Sequence, residues 1–219
     1  MGKKAVLFGA SGVTGSLLLK ELISDDKFDE VILFNRRNLN IESSKVTEII
    51  TDLFDIDSYS EAISADVMYC NIGSTQKKTP DKNLYEKIDR GIPAAAARLA
   101  KRNNIEKFMV ISSLGANSKS SNFYPRMKGQ MEDDVKSAGI KNTYILQPSL
   151  INSDREESRI GEKIAIVLAK LINPLLVGGA KKYRSIHASV IAKAMRSLAF
   201  QDLGVITIES DKLQEIGSK

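Results

Sequence analysis

The chain has 219 residues, of which 32 are lysine or arginine and 27 are aspartate or glutamate, so its net charge is +5. This length suits one domain that buries its core without disulfides or metals. A single cysteine, Cys70, excludes an internal disulfide and a cysteine-rich zinc site. A single histidine, His187, excludes a multi-histidine metal site. We therefore expect no metal.

Nucleic acids and membranes are poor partners for this composition. The chain has no tryptophan and only 6% aromatic residues, which is too few for a base-stacking platform, and its lysines are spread along the sequence. The most apolar late stretch, residues 164–177, contains Lys170, Asn173 and Pro174 and is too short to span a bilayer. We expect a cytoplasmic protein with no membrane span and no nucleic-acid partner.

Strands and helices are predicted to alternate along the chain. In chain order, the apolar patterns predict a strand at 5–8, a helix at 13–23, strands at 31–34 and 46–53, a short helix at 57–65, a strand at 66–72, a long helix at 81–103, a strand at 108–111, a helix at 125–137, a strand at 143–146, helices at 161–171 and 189–200, and a strand at 205–208. Pro93 should kink or break the long helix, and Cys70 should be a buried strand residue. This alternation predicts a mostly parallel sheet covered by helices on both faces.

A glycine-rich turn follows the first predicted strand and opens the first predicted helix. Its sequence is Gly9-Ala10-Ser11-Gly12-Val13-Thr14-Gly15. In such a place Gly9 permits a tight turn, Gly12 lets the backbone approach a pyrophosphate at the helix N-terminus, and Gly15 permits close packing of helix on strand. The turn predicts dinucleotide binding, the alternative being a plain glycine-rich turn without a ligand.

Two arginines, Arg36 and Arg37, follow the second predicted strand. Proteins that bind NAD place an aspartate or glutamate at this point to hold the ribose 2′-hydroxyl. A carboxylate would repel a 2′-phosphate, whereas guanidinium groups bind one through charge-assisted hydrogen bonds. The pair therefore favours NADP(H) over NAD, the alternative being a solvated arginine pair at a strand end.

Serine, tyrosine and lysine side chains form a candidate catalytic group. Ser112 and Ser113 follow the fifth predicted strand, and Tyr124 and Lys128 stand four residues apart at the start of a predicted helix. A nearby ammonium favours the phenolate form, so Tyr124 is able to exchange a proton with a substrate oxygen that a serine polarises. Pro125 predicts that Tyr124 is the N-cap residue rather than a helical one. The alternative is a surface tyrosine near a helix start, because chance alone predicts about half a Tyr-x-x-x-Lys match in a chain of this composition.

These motifs together resemble the short-chain dehydrogenase/reductase superfamily, in its atypical branch, and look most like the Tat-interacting-protein oxidoreductase subfamily. The resemblance covers nearly the whole chain. It is carried by the glycine turn at 9–15, Asn35-Arg36-Arg37, Ile88-Asp89-Arg90, the segment 112–116, the segment 118–129 with Tyr124 and Lys128, and the segment 154–162. The segment 154–162 is specific, whereas the glycine turn is shared by many relatives.

The resemblance implies an α/β fold, with a Rossmann-like doubly wound parallel sheet in a single domain over residues 1–219. About 150 residues make up such a sheet, so residues 151–219 are expected to form a small C-terminal extension over the substrate cleft. NADP(H) is the implied cofactor, with a tyrosine as proton donor or acceptor. The expected cofactor contacts are Gly9, Ser11, Gly12, Thr14, Gly15, Arg36, Arg37, Ile72, Gly73, Tyr124, Lys128, Ile151 and Arg159. The charge of Arg159 permits it to bind an anionic part of the cofactor or substrate.

Three residues depart from the pattern of the relatives. Gln147 stands before Pro148 where an Arg-Pro pair is common, Asp89 stands where classical relatives often have asparagine, and Pro125 lies inside the catalytic motif. A carboxylate at position 89 is expected to alter any proton relay through Lys128. His187 ends the segment 184–187, which resembles the strand bordering the substrate cleft, and it either contacts substrate or has a structural role.

Two classes of function remain open. One is an NADP(H)-dependent oxidoreductase acting on a small carbonyl or alcohol substrate, with Ser112, Ser113, Tyr124 and Lys128 as catalytic residues. The other is a regulatory protein that senses NADPH and acts through protein partners with little turnover. The sequence leaves open the substrate, which serine acts, and whether the chain is a monomer or a homodimer.

Overall fold

A computed structural model describes residues 2–59, 61–153 and 176–219. Its strands are β1 (Lys3–Phe8), β2 (Phe28–Asn35), β3 (Val46–Ile50), β4 (Val67–Cys70), β5 (Lys107–Ile111), β6 (Asn142–Gln147), β7 (Ile151–Asn152), β8 (Ile186–His187) and β9 (Val205–Glu209). Within these ranges, seven strands form a parallel sheet in the order β3-β2-β1-β4-β5-β6-β9, and β7 pairs with β8 in a separate ribbon. The predicted Rossmann-like doubly wound sheet is confirmed.

The order of the strands decides where a ligand can bind. After β1 the chain adds β2 and β3 on one side, and β4, β5 and β6 on the other. The direction of winding therefore reverses between β1 and β4. In open parallel sheets, ligands bind beyond the carboxyl ends of the strands at such a reversal. The glycine turn after β1 lies at this point.

Helices cover both faces of the sheet. They are α1 (Val13–Ser24), α2 (Lys82–Glu86), α3 (Ile92–Arg102), α4 (Phe123–Ser137), α5 (Ala188–Leu198) and α6 (Ser210–Gly217). Alternate residues of β1 point to opposite faces: Leu7 packs in one apolar cluster with residues of α1 and α5, and Phe8 packs in another with residues of α3 and α4. None of the helices in the described ranges is long and apolar enough to cross a membrane.

Several local predictions were wrong. The short helix predicted at 57–65 is instead a 3-10 helix at Leu53–Ser58, which begins where the Asp52 carboxylate accepts a hydrogen bond from the backbone N–H of Phe54. The strand predicted at 46–53 ends at Ile50, and the short strand β7 and the helix α6 were not predicted. The helix predicted at 161–171 lies outside the described residues.

The long helix predicted at 81–103 is irregular, but the irregularity lies just before Pro93 rather than at it. A π-helical turn at Lys87–Gly91 joins α2 to α3, and Pro93 is in the first turn of α3. Proline has no N–H to donate to the preceding turn, and the π-helical turn accommodates this gap while the backbone stays helical at Gly91 and Ile92. Turns of this kind often occur at functional sites, and this one carries Asp89.

Candidate functional site

The glycine turn is shaped by close backbone packing. Gly9 has a φ of +84°, and a Cβ there would lie 2.7 Å from the carbonyl oxygen of Asn71 at the end of β4. A Cβ on Gly15 would overlap the carbonyl oxygen of Gly9, so α1 needs glycine to start this near the strand. Gly12 is the N-cap residue of α1, and its backbone N–H donates to Gly9 at 3.0 Å. All three glycines therefore meet the steric demands of a dinucleotide-binding turn.

The predicted cofactor contacts gather at one edge of the sheet. Gly9 follows β1, Arg36 follows β2, and Ile72 and Gly73 follow β4. Because these strands are parallel, their carboxyl ends lie side by side. Ser11 is exposed at this edge and Thr14 is 7% exposed in the first turn of α1.

Arg36 and Arg37 are both exposed and lie at the start of the loop between β2 and β3. Hydrogen bonds to Glu48 order this loop. The Glu48 carboxylate on β3 accepts hydrogen bonds from the Asn35 side-chain amide at 2.9 Å and from the backbone N–H of Leu39 at 2.9 Å. This carboxylate is therefore occupied in ordering the loop. Glu48 was missed in the sequence because its distance along the chain hides its proximity to Asn35.

The two serines after β5 have different surroundings. Ser112 is 4% exposed, and its hydroxyl donates a hydrogen bond to the buried carboxylate of Glu132 on α4. The same carboxylate oxygen accepts a hydrogen bond from Gln147 Nε2 at 2.8 Å. Gln147, which stands where relatives commonly have arginine, therefore binds Glu132. Ser113 is half-buried. Glu132 was missed, although it lies four residues after Lys128 and thus on the same face of the helix.

Tyr124 lies inside α4 rather than at its N-cap. The helix begins at Phe123 and its N-cap residue is Asn122, so the expectation drawn from Pro125 was wrong. Pro125 falls in the first turn, where a helix tolerates proline because the first N–H groups need no partner. Tyr124 is 43% exposed, and its ring stacks on that of Tyr85 with centroids 6.5 Å apart.

Lys128 is buried one helical turn further along α4. Its Nζ lies 2.9 Å from Asp89 Oδ1, and the two side chains are 5% and 2% exposed. Asp89 Oδ2 accepts a hydrogen bond from the backbone N–H of Ser74 at 2.7 Å. Asp89, which stands where classical relatives often have asparagine, therefore pairs its carboxylate with the candidate catalytic lysine and binds the loop after β4.

Two further residues named in the sequence analysis are Cys70, at the end of β4, and His187, at the end of β8. Burial raises the pKa of the Cys70 thiol to about 12, which confirms Cys70 as a buried strand residue and keeps it protonated. His187 is the N-cap residue of α5, where its Nδ1 accepts from the backbone N–H of Ser189 at 3.3 Å and lies 2.7 Å from that residue's hydroxyl. These contacts give His187 a structural role in starting the helix.

The remaining predicted contacts belong to the C-terminal part of the chain. Ile151 is exposed on β7 and pairs with Ile186 of β8, whose neighbour is His187. Arg159 lies outside the described residues. Ile151 therefore lies on a two-stranded ribbon that is separate from the main sheet.

Comparison with known proteins identifies the family. Residues 9–169 match the family model described as NAD(P)H-binding. The chain is 34% identical to the protein HTATIP2 of Rattus norvegicus over 167 residues, which cover 74% of this chain and 69% of that protein. It is 31% identical over 225 residues to an Aspergillus fumigatus protein named fmp52, mitochondrial, with 96% and 93% of the two chains covered. Because that name places the relative in mitochondria, a cytoplasmic location for this chain stays a prediction.

Solved structures share the fold. A UDP-N-acetylglucosamine 4-epimerase from Methanobrevibacter ruminantium superposes with a TM-score of 0.67 at 20% identity, over 98% of this chain and 80% of that one. A putative NAD-dependent epimerase/dehydratase from Bacillus halodurans gives 0.67 at 17% identity, over 98% and 99%. At these identities the likeness establishes the architecture and leaves the reaction to be argued from the site.

Proposed function

We propose, from the premise that this chain belongs to the NAD(P)H-binding family and is an atypical short-chain dehydrogenase/reductase, that it is an NADP(H)-dependent oxidoreductase. Its substrate would be a small carbonyl compound or the corresponding alcohol. One observation carries the proposal: Lys128 contacts Asp89, which binds the loop after β4, and β4 lies beside β1, which is followed by the sterically exacting glycine turn. NADP(H), when bound, supplies or accepts the hydride.

The residues at this edge fit a dinucleotide. The close approach of Gly9, Gly12 and Asn71 leaves backbone rather than side chains around the N-terminus of α1. The amide of Asn71 is a second sign, since neither its Nδ2 nor its Oδ1 has a hydrogen-bond partner among the described residues although both atoms are buried. Buried polar groups are normally satisfied. A polar ligand at this edge would supply the missing partner.

Binding roles follow from charge and position. Ser11, Gly12 and Thr14 would hold the pyrophosphate at the N-terminus of α1. Arg36 and Arg37 would bind the 2′-phosphate, which favours NADP(H). Gly9, Gly15, Ile72 and Gly73 would form the wall against which the cofactor lies, and Ile151 and Arg159 would close the cleft from the C-terminal extension at 151–219.

Catalytic roles follow in the same way. Tyr124 would donate a proton to the substrate oxygen during reduction and accept it during oxidation. Ser113 would donate a hydrogen bond to that oxygen, because the Ser112 hydroxyl is already used by Glu132. Lys128 would hold the nicotinamide ribose and favour the transfer of the proton from Tyr124.

The test combines cofactor binding with turnover. NADPH and NADH are titrated by isothermal calorimetry, and a panel of carbonyl compounds is then screened with Tyr124→Phe and with the control Tyr59→Phe. Tyr59 is half-buried next to the 3-10 helix and its hydroxyl donates to Glu61, away from α4. We expect tighter binding of NADPH and a loss of turnover in Tyr124→Phe alone. Tight NADPH binding with no reduction of any compound would instead favour the sensing function, and equal affinity for the two cofactors would contradict the role of the arginines.

A further inference from the structure

Asp89 and Lys128 form a buried ion pair. Asp89 Oδ1 lies 2.9 Å from Lys128 Nζ, and the second oxygen accepts the Ser74 N–H at 2.7 Å. Both carboxylate oxygens are therefore used, and within the part of the chain that the structure describes the buried ammonium has one counter-ion of opposite charge. Buried pairs of this kind are weak contributors to stability, but the loss of one partner leaves an uncompensated charge.

This pair lies directly behind the predicted cofactor contacts. A Cβ on Gly73 would be 3.5 Å from Asp89 Oδ1, and Ser74, the next residue, donates its N–H to the same carboxylate. Because both side chains are buried, a charge left uncompensated on either of them would be weakly screened.

We propose that Asp89 is a specificity-determining residue that cancels the charge of Lys128 and thereby sets the relative affinity for NADP⁺ and NADPH. The inference rests on the proposed function, in which Lys128 holds the nicotinamide ribose. The two cofactor forms carry the same phosphates and sugars and differ by the positive charge on the oxidised ring. A neutral pair beside the ring accepts both forms, whereas a lone ammonium disfavours the oxidised form.

The test measures the ratio of the dissociation constants of NADP⁺ and NADPH by calorimetry on the full chain. In Asp89→Asn the ammonium is left without its counter-ion, so the ratio should rise about three- to tenfold. In Lys128→Met the carboxylate is left alone, so the ratio should fall below that of the wild type. The double variant buries neither charge and should return the ratio to within about twofold of the wild type. The ratio is used because a loss of contacts to phosphate or ribose affects both forms equally.

Asp134→Asn is the matched control. Asp134 accepts a hydrogen bond from Arg90 Nε at 2.7 Å, so this second pair joins the same π-helical turn to α4. The control loosens the same two elements but leaves the charge beside Lys128 unchanged, and its ratio should equal that of the wild type. If Asp89→Asn does not fold, the comparison of Lys128→Met with the double variant tests the proposal. The ratio should be below that of the wild type in Lys128→Met and close to it in the double variant.

The outcomes separate the two proposals. An unchanged ratio in the folded single variants, or an equal rise in Asp134→Asn, overturns the role of Asp89 while cofactor binding by the wild type upholds the proposed function. Binding of neither cofactor form to the wild type overturns the proposed function, and the role of Asp89 with it.

Discussion

The hydroxyl of Ser112 donates a hydrogen bond to the carboxylate of Glu132, and the two groups are buried together between β5 and α4. Gln147 completes this cluster from β6 with its own bond to Glu132 at 2.8 Å. A serine held in this way has its hydroxyl proton directed into the core. The structural demand on Ser112 therefore competes with a catalytic role.

The first prediction separates the two serines. Ser112→Ala should lower the free energy of unfolding by about 1–3 kcal/mol, because it removes a donor from a buried carboxylate. Ser113→Ala should leave stability nearly unchanged and lower kcat/KM by roughly 100- to 1000-fold, as expected for the loss of a hydrogen bond to the reacting oxygen. Urea denaturation and initial rates on the best substrate of the carbonyl panel measure both effects. Loss of turnover in a fully stable Ser112→Ala would assign the catalytic role to Ser112 instead.

The second prediction concerns the choice of cofactor. Replacing both Arg36 and Arg37 by glutamine should weaken NADPH binding by roughly 10- to 100-fold, the usual worth of charge-assisted hydrogen bonds to a phosphate. NADH lacks the 2′-phosphate, so its affinity should change much less. Lys20→Gln combined with Lys193→Gln removes the same charge from exposed positions on α1 and α5 and serves as the control. A parallel loss of NADPH affinity in the control would show that overall charge, rather than the arginine pair, attracts the cofactor.

The order of strands and helices was predictable because periodicity and glycine placement are local signals. The turn at Gly9, the strand end at Arg36 and the serines after β5 all followed from the residues beside them. The 3-10 helix at Leu53–Ser58 was not, because an Asp52 cap and a single buried turn leave no clear period.

The contacts within the site depend on elements that are distant in sequence. Asp89 was recognised as a departure, but its pairing with Lys128 arises only when the π-helical turn packs against α4. Glu132 and Ser112 are likewise brought together by the packing of α4 on β5. Sequence patterns place residues on faces and edges, whereas partners across two elements follow from tertiary packing.

The third prediction tests the glycine turn. Gly9→Ala should lower the free energy of unfolding more than Gly115→Ala does. Both glycines have a positive φ, +84° and +86°, but only Gly9 has backbone atoms close to the added Cβ, while nothing lies within 4 Å at Gly115. The shared conformational cost is about 1–2 kcal/mol, so the difference between the variants reports the close packing on Asn71. Equal losses of stability would contradict that packing.

The fourth prediction is a pH dependence that originates at Cys70. Burial raises the pKa of its thiol from the ordinary value of 9.0 to about 12. Above pH 9 the unfolded chain loses the proton while the folded chain keeps it, so the stability from this group is fully present below about pH 9 and is lost as the pH rises towards 12. The slope from one such group is at most about 1.4 kcal/mol per pH unit. Denaturation of the wild type and of Cys70→Ala at a series of alkaline pH values isolates the contribution of the thiol. The buried tyrosines contribute equally to the pH dependence of stability in both proteins. Identical slopes would show that the thiol does not titrate differently in the two states.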